Sequence, residues 1–302
     1  MGLALTQRAR EAATRVRATG PDPLTQLGRR TYARMSEATA GLRMEPGFIL
    51  IGAQRSGTTS LFRALTAHPQ VMPPTFRKGV NYFDLNYQRG AQWYRGHFPV
   101  AEIARLRTLC HGPPVACEAS GYYLYHPQAA ERLGHDMPTV KLVVMLRDPV
   151  ERAFSAHKHE FARGYEQEDF PRALELEDSR LAGEIERILA DPAYESFAHR
   201  HHSYRHRGQY AEQLERFYEF FPRAQVHVID SAAYFSQPAQ EYQRLLTFLD
   251  LQPFEPAFAA ANARPSPPMD AGCRRMLQEH YQAHDERLAK LLGRQPGWSG
   301  ER

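Results

Sequence analysis

Residues 47–65, Gly-Phe-Ile-Leu-Ile-Gly-Ala-Gln-Arg-Ser-Gly-Thr-Thr-Ser-Leu-Phe-Arg-Ala-Leu, constrain the fold more than any other stretch of the chain. Residues 48–51 are a short, continuous apolar run with β-branched members, the pattern of a buried strand. Residues 52–57 form a polar turn bounded by Gly52 and Gly57. Beyond it Leu61, Ala64 and Leu65 recur at helical spacing. Strand, tight turn and helix in this order make a phosphate cradle. The turn aims backbone N–H groups at one point, and the helix N-terminus adds partial positive charge. Thr58, Thr59 and Ser60 add hydroxyls and Arg55 a full charge. A ligand-free glycine turn would share the local pattern, so this stretch alone leaves the ligand open.

A kinase-type loop requires Gly-x-x-x-x-Gly-Lys-Ser/Thr. Gly52 and Gly57 keep that spacing, but Thr58 stands in the lysine position and the cation has moved to Arg55. Further along, residues 115–118, 141–146 and 226–229 read as strands, with another short one near Val71. Helical patterns cover residues 87–98, 210–221, 242–249 and 274–292. Alternating strands and helices predict an α/β chain: a P-loop-like three-layer fold with a mostly parallel central sheet flanked by helices. The strand at 141–146 runs directly into Arg147-Asp148-Pro149-Val150-Glu151-Arg152-Ala153-Phe154-Ser155. In open α/β sheets ligands bind beyond the carboxyl ends of the strands, which is where Arg147 falls.

Residues 1–44 read as an N-terminal helical extension, and residues 45–295 as the main domain. The extension is Arg- and Ala-rich. It fits packing on the domain or on a dimer partner better than a basic helix on a membrane surface, because its apolar face is thin. Residues 163–203 are charged and irregularly periodic and read as an inserted helical region over the substrate mouth. Its His199, His201 and His202 read as a solvated loop rather than a metal set. Cys110, Cys117 and Cys273 have neither metal nor redox spacing, so no metal is expected. Lysine occurs only at 78, 141, 158 and 290 among 38 basic residues, a bias that suggests a bacterial source. Net charge is +4, suited to anion handling but too small to argue for nucleic acid. The odd cysteine count, with no secretory leader or apolar run of membrane length, suggests the cytoplasm.

The stretch Leu146-Arg147-Asp148-Pro149-x-x-Arg152-x-x-Ser155 resembles the 3′-phosphate motif of sulfotransferases that use 3′-phosphoadenosine 5′-phosphosulfate (PAPS). The run Arg55-Ser56-Gly57-Thr58-Thr59 resembles their 5′-phosphosulfate loop. Residues 78–84, Arg89-Gly90-x-x-Trp93-Tyr94, Arg207-Gly208-Gln209-Tyr210 and Arg264-Pro265-Ser266-Pro267-Pro268-Met269-Asp270 are similar to stretches of the heparan sulfate branch. The resemblance covers roughly residues 47–293. It implies PAPS as co-substrate, with Arg55, Ser56, Gly57, Thr58, Thr59 and Ser60 on the 5′-phosphosulfate. Arg147, Ser155 and Arg264 would hold the 3′-phosphate. It implies in-line sulfuryl transfer to a hydroxyl of a carbohydrate, glycolipid or secondary metabolite. Arg55 and Lys78 would stabilise the transferring charge. Where that branch has Glu and His, this chain has Gly79 and Asn81, so Glu118 is the expected general base, with a structural carboxylate paired to Lys78 or an arginine as the equal alternative. Trp93, Tyr94, Tyr122, Tyr123 and Tyr125 are candidate stacking residues for sugar rings, although aromatics at helical spacing more often belong to a core. The alternatives are a P-loop kinase of a small molecule and a PAPS-binding protein with a degenerate active site.

Overall fold

The computed structural model describes residues 35–258 and 268–300. Its centre is a sheet of β1 (Pro46–Gly52), β2 (Val71–Met72), β3 (Val115–Glu118), β4 (Lys141–Leu146) and β5 (Val226–Asp230), in the order β2-β3-β1-β4-β5. Every adjacent pair is parallel. Phe48, Ile49 and Leu50 of β1 stand beside Lys141, Leu142 and Val143 of β4. Packed around the sheet are α1 (Thr58–Ala67), α2 (Gly90–Arg95), α3 (Ala101–Arg107), α4 (Ala129–Asp136), α5 (Pro149–Arg163), α6 (Phe170–Leu181), α7 (Glu184–Ala190), α8 (Phe197–His201), α9 (Tyr210–Tyr218), α10 (Ser231–Ser236), α11 (Pro238–Phe248) and α12 (Ala271–Leu292).

The layers follow from the two-residue period of the central strands. On one face Ile49, Ile51, Leu142 and Val144 pack with Leu133 of α4, Leu214 and Phe217 of α9, and Leu288 of α12. On the other, Phe48, Leu50, Val143 and Met145 pack with Leu61 and Leu65 of α1 and with Tyr242 and Leu245 of α11. Apolar side chains thus point both ways, as they must in a parallel strand covered on both sides. A third cluster joins Val150 and Ala153 of α5, Leu174 of α6, and Leu277 and Tyr281 of α12. The three-layer α/β architecture expected from the sequence is the one observed.

One helix departs from the expected pattern. Residues 87–98 do not form a single helix: a 3₁₀ turn at Tyr87–Arg89 precedes the short α2, and Gly90, which opens α2, has φ 79°. That left-handed-side conformation, which glycine adopts without a Cβ penalty, breaks the continuous helix. The expected extension over residues 1–44 lies mostly outside the described residues. Its end is tied to the domain: Arg43 bridges Val100 and the Met44 amide donates to Pro99 O at 3.0 Å.

Candidate functional site

The carboxyl edge of β1 and β4 carries the phosphate cradle. β1 ends at Gly52, the Ala53 amide donates to Met145 O of β4 at 2.8 Å, and the chain turns through Arg55 (φ 73°) and Gly57 (φ 97°) into α1. Gly57 is the N-cap of α1. A Cβ there would meet the Phe235 ring at 2.8 Å, so the turn needs glycine for space as well as for φ. With no cap side chain, the first amides of α1 are left for an external anion. Thr59 is exposed at that end, with Ser60 half-buried beside it. Ser56 is fully buried beneath the loop. Its hydroxyl therefore lies beneath the loop rather than at the exposed start of α1 with Thr59.

A second group gathers around the end of β4. Arg55 Nε donates to Ser155 Oγ on α5 at 3.1 Å, and Arg147 Nη1 donates to the Arg55 carbonyl at 3.4 Å. Residues about a hundred positions apart in sequence thus meet at one place. The Tyr210 hydroxyl donates to the Arg147 carbonyl at 2.9 Å and pins the strand end. Asp148 caps α5 through the Val150 amide, and Glu151 gives its short contact of 2.6 Å to Arg274 while standing 3.8 Å from Arg147. Arg147 is therefore not consumed by a tight surface ion pair. Lys158, one turn beyond Ser155 on α5, carries no motif that marks it in the sequence. Burial holds its ammonium below the usual lysine range, and Arg147 and Arg55 push in the same direction against the pull of Glu151.

Lys78 completes the cradle from the other side. Its Nζ donates to Thr58 Oγ1 at 3.1 Å and Thr59 Oγ1 at 3.3 Å. Burial, helped by repulsion from Arg63, lowers its pKa to about 8. The positions of the two expected catalytic cations thus differ. Arg55 contacts Ser155 on the Arg147 side, whereas Lys78 sits on the hydroxyls at the start of α1.

Glu118 does not suit the role of general base. It is fully buried at the end of β3 and accepts four hydrogen bonds. Tyr94 and Tyr123 hydroxyls donate to Oε1 at 2.8 and 2.9 Å, and the Val80 amide and Ser120 hydroxyl donate to Oε2 at 2.8 and 2.9 Å. Burial raises its pKa while those four donors oppose the rise. A carboxylate so occupied has no lone pair aimed at an acceptor, and we withdraw it as the base.

The segment after Lys78 supplies a better candidate. Asp84 is buried, accepts from Asn81 Nδ2 at 2.9 Å and the Leu85 amide at 2.7 Å, and burial raises its pKa to about 7. Its charge is felt at Tyr122. The two departures from the heparan branch have backbone causes. A Cβ on Gly79 would lie 2.6 Å from Ala119 O and 2.7 Å from Ser120 Oγ. Asn81 has φ 57°, a conformation asparagine adopts more readily than most residues. Gly79→Glu is therefore expected to destabilise the fold by about 1–3 kcal/mol, as overpacked sites do. A thermal melt checks this; an unchanged midpoint would show that the 79/119 approach is not tight.

Tyr94, Tyr122, Tyr123 and Tyr125 are buried, so they belong to the core rather than to a sugar-stacking surface, while Trp93 is half-buried with Arg89 over its ring at 4.7 Å. The three histidines are not a solvated loop. His199 is buried against Tyr125, with a ring separation of 4.2 Å, and bonds the Tyr122 hydroxyl; His201 pairs with Glu160, and His202 with Tyr165 O. Among the described residues no group of three or more His, Cys, Asp or Glu side chains is placed to hold a metal ion. None of their helices is long and apolar enough to cross a membrane. Arg264 lies outside the described residues.

Comparison with known proteins agrees with this geometry. The sulfotransferase domain model matches residues 45–260. The chain is 28% identical to bifunctional heparan sulfate N-deacetylase/N-sulfotransferase 3 of Homo sapiens over 82% of its own length, but spans only 30% of that protein. It is 23% identical to heparan sulfate glucosamine 3-O-sulfotransferase 5 of Mus musculus, covering 84% of this chain and 74% of that one. A solved sulfotransferase from Alicyclobacillus acidocaldarius superposes with a TM-score of 0.61 at 29% identity, covering 83% of this chain and 97% of that one. With the strand-to-helix cradle, the cation group at the end of β4 and a family match over most of its length, the chain belongs to the sulfotransferase domain family.

Proposed function

We propose that the protein moves the sulfuryl group of PAPS, in line, onto a hydroxyl of a carbohydrate-bearing acceptor. The observation that carries this reading is the pair of cation-and-hydroxyl groups at one sheet edge: Lys78 on Thr58 and Thr59, and Arg147 and Arg55 beside Ser155. Arg147, Ser155 and Arg55 would hold the 3′-phosphate, for which the guanidinium fork is well shaped. The amides at the start of α1, with Thr58, Thr59 and Lys78, would hold the 5′-phosphosulfate. Charge that builds on the sulfuryl and bridging oxygens is met there by the Lys78 ammonium and the helix N-terminus. Asp84 would take the proton of the acceptor hydroxyl. The mouse relative, named for sulfation of a glucosamine 3-hydroxyl, supports a sugar hydroxyl as the acceptor class. The kinase alternative has little to build on. Asp230, the acidic residue ending β5, is occupied by the Ala232 and Gly297 amides at 2.8 and 2.7 Å.

Calorimetry with 3′-phosphoadenosine 5′-phosphate tests the reading. Binding should persist in EDTA, since cations and amides rather than metal ligands face the phosphates. Binding lost in EDTA and restored by Mg²⁺ would favour phosphoryl chemistry. Arg147→Ala should weaken the nucleotide about ten- to hundredfold, the scale of a charged hydrogen bond of about 1.5–3 kcal/mol. Normal affinity in that variant would remove Arg147 from the 3′-phosphate site.

A further inference from the structure

We infer that Glu118, with Ser120 and Tyr123, is an acceptor hub that collects the successive backbone amides of residues 80–83 and so positions Lys78 and Asp84 for transfer. The functional part of this inference rests on the reading proposed above. Residues 80–83 enter no strand. Asn81 is left-handed and a wide helical turn spans Tyr82–Asn86, so their amides lack a regular ladder partner. Buried amides need acceptors. The Val80 amide goes to Glu118 Oε2 at 2.8 Å, Asn81 to Ser120 Oγ at 3.0 Å, and Tyr82 and Phe83 to the Tyr123 hydroxyl at 2.8 and 3.4 Å. Both hydroxyls then donate onward to Glu118, at 2.9 Å each, and Tyr94 adds a third donor. One carboxylate therefore terminates every chain of the network. The Ala119 amide, bonded to Lys78 O at 2.9 Å, fixes the segment at its start. The close approach at Gly79 lets the two backbones meet. Lys78 and Asp84 bracket the captured amides, so displacement of the segment would move both.

Two variants separate a hub from a base and from a plain core group. Glu118→Gln keeps size but reverses one end of the acceptor pair; Tyr123→Phe removes one hydroxyl and never touches a proton-transfer group. Hydrogen exchange followed by mass spectrometry needs neither nucleotide nor acceptor. Peptides covering residues 78–86 should exchange about ten- to hundredfold faster in Tyr123→Phe, the consequence of unpairing buried amides, with β4 unchanged. In turnover, both variants should lose more kcat than nucleotide affinity, because Arg147, Ser155 and Arg55, which would hold the 3′-phosphate, lie outside the hub while Lys78 does not. Both should also shift the alkaline limb of the kcat profile upward, as Lys78 regains water. Loss confined to Glu118→Gln, with Tyr123→Phe normal, would return Glu118 to the role of base and overturn the hub. Unchanged exchange at residues 78–86 in Tyr123→Phe would overturn it as well, even where Glu118→Gln fails to fold. Wild type that neither binds the nucleotide nor transfers sulfuryl would refute the proposed function, while the exchange result would still stand for or against the hub.

Discussion

Asp84→Asn is expected to lower kcat by about 10²–10⁴-fold, the range general bases contribute, with nucleotide affinity unchanged. The substitution keeps the volume of a buried side chain and an acceptor for the Leu85 amide, so the loss should not come from unfolding. Burial, opposed by the Asn81 and Leu85 donors, raises the Asp84 pKa to about 7. A group with a raised acid pKa is protonated below that value and cannot accept a proton. Wild-type kcat should therefore climb as pH rises through about 7, and this acid limb should vanish in Asp84→Asn. An enzyme with near-normal kcat in that variant would take Asp84 out of the chemistry.

Lys78→Ala is expected to cost about 10²–10³-fold in kcat, as loss of an oxyanion-type donor does. Here the active form is the protonated one. Burial, with Arg63 in support, has lowered its pKa to about 8, so activity should fall as pH rises through that value. With the Asp84 limb, the wild-type profile should be a bell with its maximum between about 7 and 8. Arg55→Ala should behave differently. Arg55 contacts Ser155 on α5, so its removal should weaken nucleotide binding more than it slows the bound complex. Equal kcat losses for both cations, with affinity intact, would mean that Arg55 also reaches the transferring group.

The scaffold was legible because it is written locally. β1 and β4 are continuous apolar runs ended by Gly52 and by Arg147, and Leu61, Ala64 and Leu65 mark the face of α1 that enters the core. The cradle and the Arg147–Ser155 spacing are equally local. What the sequence misassigned depends on where distant groups converge. Nothing near Glu118 in the chain shows that Tyr94 and the Val80 amide will consume its lone pairs. Asp84 passed unnoticed because its raised pKa comes from burial beneath long-range contacts, including Arg132 Nη1 on Phe83 O at 2.9 Å. His199 looked solvated because its polar flanks hid a ring stacked on Tyr125. The direction taken by the Arg55 side chain is a matter of tertiary contact with α5, beyond any motif. Gly79 and Asn81, which read as gaps in a catalytic pattern, are the residues that let the 78–84 segment close onto β3.

The central claim is that this sheet edge transfers a sulfuryl group to a sugar hydroxyl, and one assay addresses it most directly. Purified protein is incubated in EDTA with radiosulfur-labelled PAPS and a panel of hydroxyl-bearing oligosaccharides, and products are separated and counted. The account predicts label on at least one oligosaccharide, in amount equal to the 3′-phosphoadenosine 5′-phosphate released, with a bell-shaped dependence on pH that loses its acid limb in Asp84→Asn. Tight nucleotide binding with all label left on PAPS, across the panel and across that pH range, would contradict it.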